Sequence, residues 1–263
     1  VPAARIALYV ATLGALALVL RSVLMEPVAL WIAASALVAY VALVTSGTLI
    51  LRLGMFADVT WRGPRDARGV ALTFDDGPHP THTLEVLDAL DRASVKATFF
   101  VIGRKALAHP EIVRAIRARG HSVGVHSFTH DRLFSLRSLA FVRRDLRRAV
   151  ETLEAITGER PVLFRPPIGH TSNRIARAAE ELDLDIVGWS VRGVDGLRGA
   201  SADRVAARVV PRLRDGVIVL LHDAAERDDF RPASIEALPK ILAAMSRRAL
   251  PGVPVDAWVD PHE

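Results

Sequence analysis

The 263-residue chain contains no cysteine, which excludes disulfides and thiolate metal ligands and leaves the redox compartment open. No internal repeat or low-complexity tract occurs, and no nucleic-acid-binding motif is present, so neither a repeat array nor a nucleic-acid partner is expected. Charge is missing from two long stretches. From Ile6 to Leu20 there is no charged residue, and the apolar run continues past Arg21 and Ser22 to Met25. After Glu26 and Pro27 a second uncharged run extends from Val28 to Leu51. Each is about the ~20 residues that cross a bilayer at ~1.5 Å rise per residue.

These runs read as a transmembrane helical hairpin, with Trp31 at an interface and Arg21 and Arg52 snorkelling from the ends. The first run, short and preceded by Arg5, also fits a cleaved signal peptide. Arg5 before the first run and Arg52, Arg62, Arg65 and Arg68 after the second favour cytoplasmic termini by the positive-inside rule. An isoelectric point near 10.3 suits anionic lipid beside such an anchor. The expected organisation is a membrane anchor over 1–55, a polar linker with Gly63-Pro64 over 56–68, and one domain over 69–263.

From Gly69 onward short apolar runs alternate with helix-period stretches. Strands are expected at Val70–Phe74, Ala97–Val101, Ser122–Val125, Val162–Phe164, Asp185–Trp189, Val217–Leu221 and Val253–Val259. Helices are expected at His82–Ala93, Pro110–Arg119, Leu136–Ile156, Asn173–Leu182, Ala202–Leu213 and Ser234–Ala249. Apolar strands alternating with helices imply a parallel sheet covered by helices, an α/β fold. Seven strands in this length suggest a barrel smaller than the common eight-fold one.

Ionisable residues follow five of these strands: Asp75 and Asp76 in "TFDDGP", His126 and His130 in "HSFTH", Arg165 in "RPPIG", Asp195 in "GVDG", and His222 with Asp223 in "LLHD". In parallel α/β sheets the carboxyl ends of strands gather at one mouth, where sites are built. Two imidazoles and one carboxylate make a facial set for a divalent metal with open positions. A second carboxylate beside such a cation can stay ionised and accept a proton from water. His79 and His82 read instead as the start of the following helix.

The four ordered motifs "TFDDGP", "HSFTH", "RPPIG" and "LLHD" resemble those of the polysaccharide deacetylase family, also called the NodB-homology or carbohydrate esterase four family, over roughly Gly69 to Ala249. The resemblance implies a distorted seven-stranded β/α barrel, TIM-like, behind the hairpin. It implies metal-dependent hydrolysis of N-acetyl or other N-acyl groups on amino sugars, with a divalent ion, zinc above others, as cofactor. Carried over by motif, Asp75 is the general base, and Asp76, His126 and His130 are the metal ligands. Arg165 holds Asp75, the Ile168 N–H binds the oxyanion, and Leu220 lines the acyl pocket. His222 is the general acid, oriented by Asp195. The expected partners are a glycan or glycolipid substrate and membrane lipid, in an integral protein of a bacterial-type cytoplasmic membrane. A cell-wall polymer such as peptidoglycan and a lipid-linked glycan both suit the resemblance. An O-acetyl carbohydrate esterase and a non-catalytic glycan-binding protein are the rival readings. The chain departs from the family in two places: Ile168 stands where an aromatic is usual, and "GWSVRGVDG" has Arg192 in place of a carboxylate and Gly196 in place of a tryptophan.

Overall fold

The computed structural model describes residues 1–259; positions 260–263, the end of the expected domain, lie outside the described residues. Two apolar helices come first, α1 (Ala3–Leu24) and α2 (Leu30–Leu49). They pack as an antiparallel pair, with Thr12 Oγ1 3.1 Å from the Tyr40 hydroxyl and the Arg5 guanidinium donating to the Gly54 carbonyl at 3.2 Å. No residue of α1 is buried, and only Gly47 of α2 is. Both helices are apolar and long enough to cross a membrane.

The remainder is a seven-stranded parallel sheet with helices outside it. Its strands are β1 (Val70–Asp75), β2 (Ala97–Val101), β3 (Ser122–Val125), β4 (Leu163–Phe164), β5 (Asp185–Ile186), β6 (Val191–Arg192) and β7 (Val217–His222), in spatial order β5-β4-β3-β2-β1-β7-β6. The helices are α3 (His82–Arg92), α4 (Gly103–Ala108), α5 (Pro110–Ala118), α6 (Leu139–Thr157), α7 (Asn173–Glu180), α8 (Ala202–Val209) and α9 (Ala233–Arg247).

The edge strands β5 and β6 are separated in sequence only by residues 187–190, a reach of no more than ~3.6 Å per residue. The sheet must therefore curl into a distorted barrel. Thr60 pairs with Val187 and Arg62 with Val217, so the segment before β1 is stitched along the seam.

Strand alternation divides the side chains of β1 between two layers. Leu72 and Phe74 face the main core under the helices. On the other face, Ala71 joins Phe100, Leu163, Val187, Ile218 and Val255 in a small apolar cluster, followed along the strand by Thr73 and Asp75. The barrel interior thus changes from apolar to ionisable toward the carboxyl ends of the strands.

Two expectations are corrected. Val253–Val259 is not a strand: Pro254, which has no N–H to offer a ladder, leads into a 3-10 turn over Val255–Trp258. Buried Val255 plugs the barrel there, its N–H donating to Thr98 Oγ1 at 2.9 Å. The seventh strand is β6, which the sequence reading passed over together with α4.

Candidate active site

The first motif leaves the sheet at its centre. β1 is buried along its whole length, between β2 and β7, and the register sets Asp75 beside His222. Thr73 and Asp75 share the interior face, and both meet Arg165, whose Nη1 donates to Thr73 Oγ1 and to Asp75 Oδ1 at 2.7 Å each. Nε and Nη2 of Arg165 donate to the carbonyls of Val187 and Gly188 at 3.2 and 2.9 Å, and the guanidinium carbon sits 4.1 Å from the Phe100 ring centroid. Arg165 is 0% exposed. A buried pair of this kind is weak evidence for net stability; its effect is to fix the Asp75 carboxylate in one orientation.

Asp76 departs from the strand with φ 72°, in the left-handed region that few non-glycine residues adopt. Gly77 follows because a Cβ there would collide with the Asp223 carboxylate. The turn swings the Asp76 carboxylate toward the second motif, where its Oδ1 lies 3.4 Å from His126 Nε2 and 3.1 Å from His130 Nε2.

The second motif is fastened by groups the sequence reading missed. Asp145 on α6 accepts from the N–H groups of Phe128 and Thr129 at 2.7 and 3.1 Å and from the Thr129 hydroxyl at 2.6 Å. Its signal was available, since Asp145 is an acid within the buried stripe Val142, Leu146, Ala149. His126 Nδ1 donates to the Arg165 carbonyl at 2.7 Å, which turns Nε2 toward Asp76. His130 Nδ1 lies 3.7 Å from Glu226 Oε1, and Arg132 donates to the other Glu226 oxygen at 2.7 Å.

Asp76, His126 and His130 each offer one ligand atom, all within 4.8 Å of one another. Asp76 Oδ1 is buried yet has no hydrogen bond aligned with it, although two imidazole nitrogens stand nearby. One carboxylate and two Nε2 atoms converging on an unsatisfied oxygen fit a divalent cation. Burial raises the Asp76 pKa, but the His126 and His130 rings outweigh it and hold the carboxyl well below its usual range. For His126 burial works against the charged ring, and the carboxylates of Asp75 and Asp76 more than reverse it.

Across the opening, Asp195 is 0% exposed and holds His222 twice, accepting from its backbone N–H at 2.7 Å and lying 3.2 Å from its Nδ1. Burial lowers the His222 pKa, but Asp195, followed by Asp76 and Asp75, pushes it up to about 10. Asp223 does not face the opening. It accepts from the Thr83 hydroxyl, and burial raises its pKa to about 7. His79 Nδ1 accepts the N–H groups of Thr81 and His82 at 3.2 Å each, at the start of α3 as expected.

Asp75, Asp76, His126, His130, Ile168, Leu220 and His222 all line one cavity of about 420 Å³, while Arg165 and Asp195 stand behind its wall. Ile168 is 46% exposed with φ 52°. Of the nine non-glycine residues with positive φ among those described, Asp76, Ser127, His130, Ile168 and Val194 lie on these loops, a clustering of backbone strain usual at functional sites. At Gly196 a Cβ would stand 2.8 to 3.0 Å from three atoms of the His222 ring. The glycine therefore leaves room for the imidazole itself.

Comparison with known proteins gives a consistent picture. A family model described as polysaccharide deacetylase matches residues 62–187. A peptidoglycan-N-acetylglucosamine deacetylase of Bacillus cereus is 34% identical over 186 residues, 71% of this chain, which spans 66% of that protein, a little under two thirds. A chitooligosaccharide deacetylase of Sinorhizobium fredii is 37% identical over 200 residues, 70% of this chain and 90% of that protein. Among solved structures, a peptidoglycan N-acetylglucosamine deacetylase bound to a naphthalenyl N-hydroxybenzamide superposes with a TM-score of 0.69 at 32% identity, covering 75% of this chain and 91% of that one.

Proposed function

The chain belongs to the polysaccharide deacetylase family, and from that premise we propose that it is a metal-dependent hydrolase removing N-acetyl or related N-acyl groups from amino sugars. One observation carries the reading. A single cavity joins the Asp76, His126 and His130 cluster to a carboxylate held by Arg165 and an imidazole held by Asp195.

Asp76, His126 and His130 would hold a divalent ion, which we assign as zinc and which would lower the pKa of water and polarise the acyl carbonyl. Asp75, fixed by Arg165, accepts a proton from the water that adds to the carbonyl carbon. The Ile168 N–H faces the oxygen that gains charge, and Leu220 borders the acyl group. His222, kept protonated by Asp195, delivers its proton to the nitrogen as the carbon–nitrogen bond breaks, so that a carboxylic acid and a free amine leave.

We assign residues 69–263 to this hydrolase, 56–68 to its connection and 1–55 to a membrane hairpin. The Thr171 N–H donates to the Thr48 carbonyl at the end of α2 at 3.1 Å, two residues from Gly169 in the cavity wall. The opening therefore sits beside the anchor, where a nascent cell-wall glycan or a lipid-linked sugar is within reach. Protease treatment of sealed membranes decides the face, because only an outward domain is digested in intact cells.

The reaction is tested by acetate release from N-acetylated glycan. Asp75→Asn is expected to keep metal and lose nearly all turnover, while His126→Ala loses both. Chelation should abolish activity and zinc should restore it. Near-wild-type turnover by Asp75→Asn, or indifference to chelation, overturns the mechanism.

A further inference from the structure

The charges around the cavity pair off in a way that leaves two cations over. On the rim, Arg132 is taken by Glu226 at 2.7 Å and Arg198 by Asp229 at 2.8 Å. On the floor, Asp75 is matched by Arg165 and Asp76 by the two histidines. Arg192 and Arg227 also line the cavity. Both are exposed, and neither has an ion pair or side-chain hydrogen bond among the described residues.

Arg192 is not an arbitrary surface arginine. It stands on β6 in register with Leu220 of β7, so its base is fixed by the sheet, and Leu220 lines the same cavity. It places a positive charge on the cavity wall that also carries Leu220 and His222. Arg227 comes from a different element, the loop after β7, directly following Glu226. A guanidinium that faces an opening without a counter-ion is suited to bidentate binding of a phosphate or carboxylate.

We propose that Arg192 and Arg227 form an anion subsite on the rim of this cavity and select amino-sugar substrates that carry a negative charge in addition to the acylated nitrogen. The inference rests on the deacetylase reading and narrows its substrate class. The anion is a phosphate ester if the sugar is membrane-borne and a carboxylate if it belongs to a cell-wall polymer. In either case a neutral chitin-like oligomer leaves the subsite unused.

The test compares N-acetylglucosamine 1-phosphate, N-acetylmuramic acid and neutral di-N-acetylchitobiose as substrates of the full-length, zinc-loaded protein, with Arg192→Gln, Arg227→Gln and the double variant. Arg114→Gln on α5 controls for net charge. Each site variant should lower the anionic-to-neutral ratio of kcat/KM on the order of 10-fold, mainly through KM, and the double variant by more. The ratio should also fall with added salt in the wild type and less so in the double variant. The anionic substrate that shows the larger ratio identifies the source. A ratio unchanged in the double variant, or equal losses on all substrates, overturns the subsite. If no substrate is turned over, the deacetylase reading fails instead. The subsite is then judged by calorimetric binding of N-acetylglucosamine 1-phosphate against N-acetylglucosamine, where equal affinities in wild type and double variant refute it.

Discussion

Replacing Asp195 by asparagine preserves shape and removes one buried charge, and its consequence can be followed from the geometry. His222 is raised from an ordinary value near 6.5 to about 10; burial opposes the charged ring, and Asp195 is the first of the carboxylates that outweigh it. A cation on Asp76 cancels part of that negative field, but it does so equally in wild type and variant, so the difference between them isolates Asp195. Without it, burial gains the upper hand. The alkaline limb of kcat/KM, which reports the acid of the free enzyme, should move down by about one to three pH units, each unit equal to ~1.4 kcal/mol. Activity near pH 9 should fall by about twofold for a shift of one unit and by roughly 100-fold for a shift of three. Stability gives an independent readout. A folded-state pKa raised above the unfolded one contributes stability that is complete below about 6.5 and is lost as pH rises through about 10. The melting-temperature gap between wild type and variant should therefore be widest at or below neutral pH and close above pH 10. An alkaline limb that stays in place, with activity lost uniformly across pH, would refute the assignment of Asp195 as the group that keeps His222 charged.

Three further outcomes are expected. Arg165→Ala strands the buried Asp75 carboxylate and should destabilise the fold by about 3–5 kcal/mol, read from urea denaturation; a change under 1 kcal/mol would mean that water or relaxation replaces the guanidinium. Glu226→Gln loosens His130 by removing the carboxylate 3.7 Å from its Nδ1 and should weaken zinc binding ~10-fold in competition with a chromophoric chelator, an affinity within twofold of wild type dismissing that role. Gly196→Ala places a methyl group 2.8 Å from the His222 ring and should cut kcat by about 10-fold or more while leaving zinc affinity unchanged, an unaltered kcat showing that the ring can shift freely.

What the sequence disclosed followed the physics of each element. Buried apolar runs such as Val70–Phe74 and Val217–Leu221 announced strands, and the ionisable residues that end them announced the mouth, because parallel strands deliver their carboxyl ends to one side. β6 escaped notice because Val191–Arg192 is too short to make a pattern, and its position is set by the seam it borders. Val253–Val259 misled because β-branched residues suit a plug as well as a strand, and Pro254 decides between them. Glu226 and Asp145 lie far in sequence from the histidines they support. Only the α6 stripe marked Asp145 as out of place, whereas nothing in the chain order linked Glu226 to His130.

The adjacent carboxylates of the first motif show how local backbone geometry settles a question that composition poses. Continued strand geometry would have sent Asp75 and Asp76 to opposite faces, one inside the barrel and one beneath the helices, where an unpaired carboxylate is costly. Asp75 keeps the strand's alternation and so shares the interior face with Thr73, where one guanidinium nitrogen reaches both at 2.7 Å. The left-handed turn at Asp76, φ 72°, brings the second carboxylate back to the same cavity but aims it at two imidazoles. Each acid thus has its own cationic or metal-binding surroundings, and the like charges need not share one. The proposed division of roles between proton acceptor and ligand would follow from one backbone rotation, and that rotation is followed by a glycine because the Asp223 carboxylate occupies the space where a side chain would go.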